Sequence, residues 1–172
     1  LPREFLRWLD ARAEASAGDP PWMPELAHYE WVELALQISE ARTSDVPHDP
    51  DGDLMLHAPV VSPLAWPLAY AWPVHAIGPT FQPDAPPDLP TLLLVRREPD
   101  GTVSFHALTP LAWRLLERLE AEPALSGRAQ LVALAAEAGA PDVDAFVREG
   151  EALLRQFRAE GTVLGTRPPG AG

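Results

Sequence analysis

The residues with the most obvious capacity for chemistry form an acidic cluster at positions 48–53, which reads His-Asp-Pro-Asp-Gly-Asp. Closely spaced carboxylates bind calcium, and the EF-hand loop places glycine at its sixth position and a bidentate glutamate at its twelfth. Counted from Asp49, however, the glycine is Gly52 at the fourth position, and the twelfth position is Val60. The spacing favours a solvated acidic turn, so no metal site and no cofactor are predicted.

The other candidates for catalysis are the histidines and serines, and neither set has a catalytic spacing. The five histidines form no H-E-x-x-H pair, no serine lies in G-x-S-x-G, and the chain contains no cysteine. The sequence also contains no Walker loop and no dinucleotide-binding glycine pattern. We therefore expect a protein that is not an enzyme on its own.

Charge is distributed unevenly along the chain, whose formal net charge is −12 and whose thirteen basic residues are all arginine. Residues 1–90 carry four Arg and fourteen acidic residues (net −10), whereas residues 91–172 carry nine and eleven (net −2). The acidic half should repel nucleic acid and anionic membranes, so it is either a solubilising surface or a docking surface for a protein. The sequence contains no apolar run of about 18 residues, so no membrane span is predicted. The lack of cysteine fits a reducing, cytoplasmic location.

The first part of the chain, residues 1–44, is predicted to be the end of a helical domain. One helix is expected from Pro2 to about Ser16, and a second is expected to begin near Pro24. The apolar stripe predicted for the second helix comprises Ala27, Trp31, Leu34, Ala35 and Ile38. Because two such helices cannot bury both of their faces alone, they are interpreted as the remnant of a larger helical domain.

The second part, residues 45–90, is proline-rich and holds 11 of the 21 prolines. It is nonetheless too apolar to remain solvated, most clearly in the run from Leu64 to Val74. Sheets accept proline mainly on edge strands. Extended segments and edge strands are therefore predicted for this part.

The third part, residues 91–166, is predicted to be winged-helix-like, with a β-hairpin followed by three helices. The strands are expected at 91–97 and 102–107, joined by a type I turn with proline at its second position. The expected helix caps are Thr109, Ser126 and Asp142, and the expected helix ends are Gly139 and Gly161. Residues 162–164 are expected to return to the hairpin as a short strand, and 167–172 form a tail. The predicted fold class is α+β.

A winged helix commonly binds DNA by placing one helix in the major groove, and here that helix would begin at Asp142. Its first turns carry Asp142, Asp144 and Glu149 against a single arginine. Phosphates repel carboxylates, and bases are read by Arg, Lys, Asn or Gln. Nucleic-acid binding is therefore disfavoured, and a DNA-binding transcriptional regulator is kept as the alternative function.

The same unit could instead capture a peptide that adds as a strand to the edge of the hairpin. The strand 102–107 and the helix 142–159 would then be the two walls of the groove. The candidate peptide-binding residues are Val103, Phe105, Arg148 and Arg155. Ordinary solvated arginines at the last two positions, in an adaptor without peptide contacts, are a third possibility.

Residues 22–31, Trp-Met-Pro-Glu-Leu-Ala-His-Tyr-Glu-Trp, resemble the P-x-L-x-x-L-A-x-x-E-W signature of the HvfC/BufC-type peptide-modification chaperones. Members of that family often carry a DNA-binding label. Residues 67–75, 108–110 and 161–166 resemble its C-terminal domain, and residues 91–164 resemble the PqqD-like peptide-recognition element. The proline-rich segment before the hairpin departs from the PqqD-like pattern, and it would block the peptide groove if it covered the free strand edge.

The resemblance implies a role in the maturation of ribosomally made peptides. The protein would be the non-catalytic partner of a multinuclear-iron oxidase and would help to present the precursor peptide to it. The acidic half would then dock the oxidase, and the candidate docking residues are Glu25, His28, Glu30 and Trp31.

Overall fold

The computed structural model describes residues 18–168, which form four helices, a three-stranded antiparallel sheet and a two-stranded one. The helices are α1 (Met23–Gln37), α2 (Pro110–Ala121), α3 (Gly127–Glu137) and α4 (Val143–Ala159). The strands are β1 (Pro59–Val61), β2 (Ala65–Tyr70), β3 (Thr91–Arg97), β4 (Val103–Ala107) and β5 (Val163–Thr166). The predicted α+β class is confirmed. The helix predicted before Gly18 and the end of the predicted tail lie outside the described residues.

The larger sheet has the order β2-β3-β4, so the proline-rich part of the chain supplies one of its edge strands. In the register of this sheet, Leu94 lies opposite both Pro67 and His106. The hairpin between β3 and β4 closes as predicted, since Gly101 N donates to Glu98 O at 2.9 Å. Gly101 has a φ of 89°, which glycine adopts without steric cost.

The larger sheet lies between two helical layers because β3 presents apolar side chains to both faces. Leu94 packs into the main core with α2, α3 and α4. Leu93 and Val95 point the other way and pack against the side of the sheet that α1 covers. The three predicted caps are present, since the side chains of Thr109, Ser126 and Asp142 each accept a hydrogen bond from the backbone amide three residues later.

The predicted return of residues 162–164 to the hairpin is wrong. β5 pairs instead with β1 in the two-stranded sheet, where Val60 lies opposite Gly165. β2 already occupies the second edge of β3, so no place is left there for another strand. The chain leaving α4 lies beside the segment before β1, where Arg158 Nη1 donates to Gly52 O at 2.9 Å. Proximity to β1 thus decides the pairing of β5.

The apolar stripe predicted for α1 is wrong for most of its residues, since only Trp31 and Ala35 of the five are partly buried. The residues that α1 buries are His28, Val32 and Leu36, whereas Leu34 and Ile38 are 53% and 68% exposed. Both sides of this helix carry apolar residues, so periodicity alone could not identify the side that contacts the sheet.

The C-terminal end of α1 is held by one arginine of β3. Arg97 Nη1 donates to Leu36 O at 3.0 Å and to Ser39 O at 2.6 Å, and Nη2 donates to Ala41 O at 3.0 Å. The last carbonyl groups of a helix have no partner within the helix and carry partial negative charge. Leu36 O is such a group, whereas Ser39 O and Ala41 O lie just after the helix. The guanidinium group, which has several N–H donors, therefore ties both the end of α1 and the segment that follows it to the sheet.

Candidate functional site

Strand β4 has one edge without a strand partner among the described residues, because β3 is its only neighbour in the sheet order. In an antiparallel pair of strands, the backbone N–H and C=O groups of every second residue bond to the partner strand, and those of the residues between them point away from it. Glu98 N donates to Thr102 O at 2.7 Å, and Leu108 N donates to Leu92 O at 2.9 Å. The residues of β4 whose backbone groups bond to β3 are therefore the even-numbered ones.

The odd-numbered positions of β4 consequently direct their backbone groups to the open edge. These positions are Val103, Phe105 and Ala107. Each presents one N–H donor and one C=O acceptor, and together they form a row, the β4 edge, that an extended chain can match. β2, the strand that the proline-rich segment contributes to this sheet, pairs with the other side of β3 and therefore does not occupy the β4 edge.

The opposite edge of the sheet, along β2, has a gap in its row of outward backbone hydrogen-bonding groups. Arg97 N donates to Leu64 O at 3.0 Å, so by the same alternation Ala65, Pro67 and Ala69 face outward from β2. Proline has no N–H, and the central donor of this edge is therefore missing. Proteins commonly place proline on edge strands to prevent unwanted pairing. Only the β4 edge of this sheet offers an uninterrupted row.

One side of the β4 edge is aromatic and acidic. The rings of Phe105 and Tyr29 have their centroids 4.7 Å apart, and Val103 packs in the same cluster beneath α1. Burial raises the pKa of the Tyr29 hydroxyl, and the negative charges of Glu33 and Glu30 raise it further. A chain lying along the edge would therefore have carboxylates beside it on the α1 side.

The other side of the edge carries a polar cluster that the sequence did not reveal. His106 Nε2 lies 2.9 Å from Ser104 Oγ, the Ser104 hydroxyl donates to Glu98, and Arg96 Nη2 lies 2.7 Å from Glu98 Oε1. Burial acts to raise the pKa of Glu98, but the hydrogen bonds from Ser104 and Arg96 outweigh it and lower that pKa.

This cluster differs from a hydrolase triad in its connectivity. In a triad the carboxylate orients the histidine, and the histidine accepts the serine proton. Here the hydroxyl of Ser104 donates directly to Glu98, so His106 is not placed to deprotonate it. The cluster is a source of polar contacts rather than of a nucleophile.

The structure does not bring the four predicted peptide-binding residues together. Val103 and Phe105 face α1, whereas α4 contributes Leu154 and Phe157 to the core on the opposite face of the sheet. Arg148 and Arg155 are exposed on α4, where Arg155 pairs with Glu151 one helical turn away. The two walls of the expected groove are thus separated, and the roles of the two arginines in peptide binding stay predictions.

Glu25 and His28, two of the four predicted docking residues, make hydrogen bonds within the chain. Glu25 accepts hydrogen bonds from the backbone N of Ala71 at 3.1 Å and of Trp72 at 2.9 Å. His28 is buried, and its Nδ1 lies 2.8 Å from the Tyr70 hydroxyl. Burial lowers the pKa of His28 and raises that of Tyr70. The imidazole therefore stays neutral and the tyrosine stays protonated, so that the Tyr70 hydroxyl can donate a hydrogen bond to the imidazole.

The other two docking candidates differ in exposure. Trp31 is half-buried beside the cluster that contains Val32 and Leu36, whereas Glu30 is exposed. Of the four, Glu30 is the one whose side chain is most accessible to a partner. A docking role for these residues stays a prediction.

Comparison with protein-family models matches residues 62–158 to the HvfC C-terminal domain. The chain belongs to the HvfC family. The matched region of this HvfC-family chain contains β2, β3, β4, α2 and α3, together with most of α4, so the β4 edge lies inside it. Membership associates the chain with peptide maturation and implies a partner protein. No curated protein matches the sequence, and no helix among residues 18–168 is long and apolar enough to cross a membrane.

Proposed function

We propose that this HvfC-family protein is a non-catalytic partner that binds a precursor peptide and presents it to a multinuclear-iron oxidase. The observation that supports the peptide-binding part is the uninterrupted row of outward backbone groups along the β4 edge. In this proposal the peptide adds to the larger sheet as a fourth strand, beside Val103, Phe105 and Ala107.

Strand addition suits a presenting protein because the backbone supplies most of the affinity and leaves the peptide side chains available. An edge that is already held in a sheet is ordered before the peptide arrives. Its backbone therefore loses no further conformational entropy when the peptide binds. Phe105 is fixed by its contact with Tyr29, and the hairpin fixes the other end of β4. The peptide alone must become ordered.

The side chains beside the edge indicate which peptides would bind. On the α1 side, the peptide would lie near Phe105 and near the carboxylates of Glu30 and Glu33. Apolar residues alternating with basic ones on that face of the peptide would match these neighbours. Because the carboxylates are exposed, this electrostatic contribution should weaken as the salt concentration rises.

The test uses the same substitution on both edges of the sheet. Ala107→Pro removes an outward N–H from the β4 edge, and Ala69→Pro removes an outward N–H from the β2 edge; neither donor is used in pairing with β3. The affinity for a fluorescently labelled precursor peptide is measured by anisotropy. We expect Ala107→Pro to weaken binding by about tenfold or more and Ala69→Pro to leave it unchanged.

Thermal unfolding of both variants provides the check on folding. Equal affinities of the two folded variants would exclude the β4 edge as the binding site. If the wild-type protein associates with neither the precursor peptide nor the oxidase, the proposed function itself is wrong.

A further inference from the structure

The connection between β2 and β3 ends in a long segment without helix or strand, residues 77–90. Its prolines are Pro79, Pro83, Pro86, Pro87 and Pro90. Near its start, Gly78 and Phe81 exchange backbone hydrogen bonds of 3.0 and 3.1 Å, and Ile77 packs against the core. Irregular loops of this length are uncommon in compact domains, and those that are ordered usually serve binding.

The segment exposes apolar side chains that contribute nothing to the core. Phe81 is 47% exposed and Leu89 is 78% exposed. Asp84 and Asp88 lie between them, and neither forms an ion pair within the described part of the chain. Large apolar side chains held on a proline-rich segment next to unpaired carboxylates are typical of a surface that another protein covers.

We propose that residues 79–90 are the arm by which this protein docks the oxidase; the inference rests on the proposed function and names the docking surface. Proline fixes φ at its own position, so the five prolines limit the conformations that the arm can adopt before it binds. Grooves lined by aromatic side chains recognise such segments. The complementary surface of the oxidase is therefore an aromatic groove, with basic residues at its rim that meet Asp84 and Asp88.

The position of the arm fits a presenting role. In the sheet register Tyr70 lies opposite Thr91, so the connection that carries the arm leaves and re-enters the sheet at this end. Ala107 lies opposite Leu93, and β4 therefore finishes at the same end. An oxidase held by the arm would lie close to the point where a peptide leaves the β4 edge. The arm belongs to the connection between β2 and β3, whereas the edge belongs to β4, so both can be occupied at once.

A nucleic acid or an anionic membrane fits the arm less well than a protein does. Residues 77–90 contain two aspartates and no basic residue. Phosphate groups would be repelled by these carboxylates, because binding to phosphates depends on Lys and Arg.

The test compares the double variant Phe81→Ser/Leu89→Ser with a matched control, Leu56→Ser/Val132→Ser, which removes two exposed apolar side chains elsewhere. Binding of the full chain to the purified oxidase and to the labelled precursor peptide is measured separately. We expect the arm variant to lose about tenfold or more in affinity for the oxidase, as for removal of central anchors. Its affinity for the peptide should stay unchanged, and the control should bind both ligands normally.

A second variant tests the contribution of proline. Pro83→Ala/Pro86→Ala/Pro87→Ala keeps both apolar anchors but loosens the arm, and we expect a loss of a few-fold in oxidase affinity. Unchanged oxidase binding by the arm variant would overturn the inference and leave the proposed function intact. Failure of the wild-type chain to bind the oxidase would overturn both.

Discussion

A single buried histidine makes the stability of this fold depend on pH. The imidazole of His28 is buried against Tyr70, and burial lowers its pKa below the ordinary value of 6.5. As the pH falls, His28 therefore takes up a proton at a higher pH in the unfolded chain than in the folded chain. The contribution of His28 to stability is consequently complete above pH 6.5 and is lost as the pH falls below that value.

We expect the melting temperature to fall between pH 7 and pH 5, and His28→Gln to reduce that fall. The exposed His57 provides a matched control, since His57→Gln should leave the pH dependence unchanged. Thermal unfolding followed by circular dichroism across this pH range measures both effects. The same slope for wild type and His28→Gln would show that other groups are responsible.

Glu25 and Glu30 lie on one helix but are expected to respond differently to substitution. Glu25→Ala would leave the amides of Ala71 and Trp72 without their acceptor, at a cost of about 1–2 kcal/mol in the free energy of unfolding. Glu30→Ala, at an exposed position, should change it by less than about 0.5 kcal/mol. Urea denaturation measures both variants. If Glu30 docks the oxidase, its substitution weakens that association without loss of stability.

At the residue scale, the sequence is informative wherever the relevant partner is near in the chain. Thr109, Ser126 and Asp142 are predictable as caps because each bonds to an amide three residues away. The contacts of Glu25 and His28 span more than forty residues, and no local pattern encodes them. For that reason the sequence alone suggests that both side chains are accessible to a partner.

At the scale of elements, α1 depends on Arg97 for its attachment to the sheet. Lysine at this position keeps the charge but cannot direct two nitrogen atoms at Ser39 O and Ala41 O together. We expect Arg97→Lys to lower the free energy of unfolding by about 1.5–3 kcal/mol, the range for hydrogen bonds from charged groups. Amide exchange at the end of α1 should become faster.

Arg128→Lys on α3 serves as the control, because Arg128 is exposed. Its unfolding free energy and its exchange rates in α1 should match those of wild type. Equal exchange in Arg97→Lys and Arg128→Lys would mean that the guanidinium group does not hold the helix.

The elements themselves are largely predictable from the sequence, whereas their partners are not. The strands and turn of the β3–β4 hairpin follow from alternation and from Gly101, both of which are local signals. The pairing of β5 with β1 joins segments about a hundred residues apart and depends on where α4 ends. The β4 edge could be proposed from the sequence, but only the structure shows that β2 pairs with the other side of β3 and leaves β4 without a second strand partner among the described residues.

At the scale of the whole molecule, charge argues against the DNA-binding alternative. The chain has a net charge of −12, and the first turns of α4 carry Asp142, Asp144 and Glu149. Non-specific DNA binding is driven by neutralisation of phosphates, which this surface does not supply.

We therefore expect no gel shift with promoter fragments of its own operon at about 50 mM salt, where phosphate contacts are strongest. The measurement compares the protein with and without excess unrelated DNA. A shift that weakens steeply as salt increases would support the regulator alternative instead.

The difference between the two edges of the larger sheet also limits self-association. A sheet open on both sides can polymerise, because each added chain offers a new site for the next. Pro67 removes a backbone donor on the β2 side, so within the part of the chain that the structure describes the larger sheet can be extended only through β4. Two molecules joined in that way would hide both open edges and end the growth. One proline thus limits the growth of the shared sheet to two chains, and under the proposed function a peptide would compete with the second chain for β4.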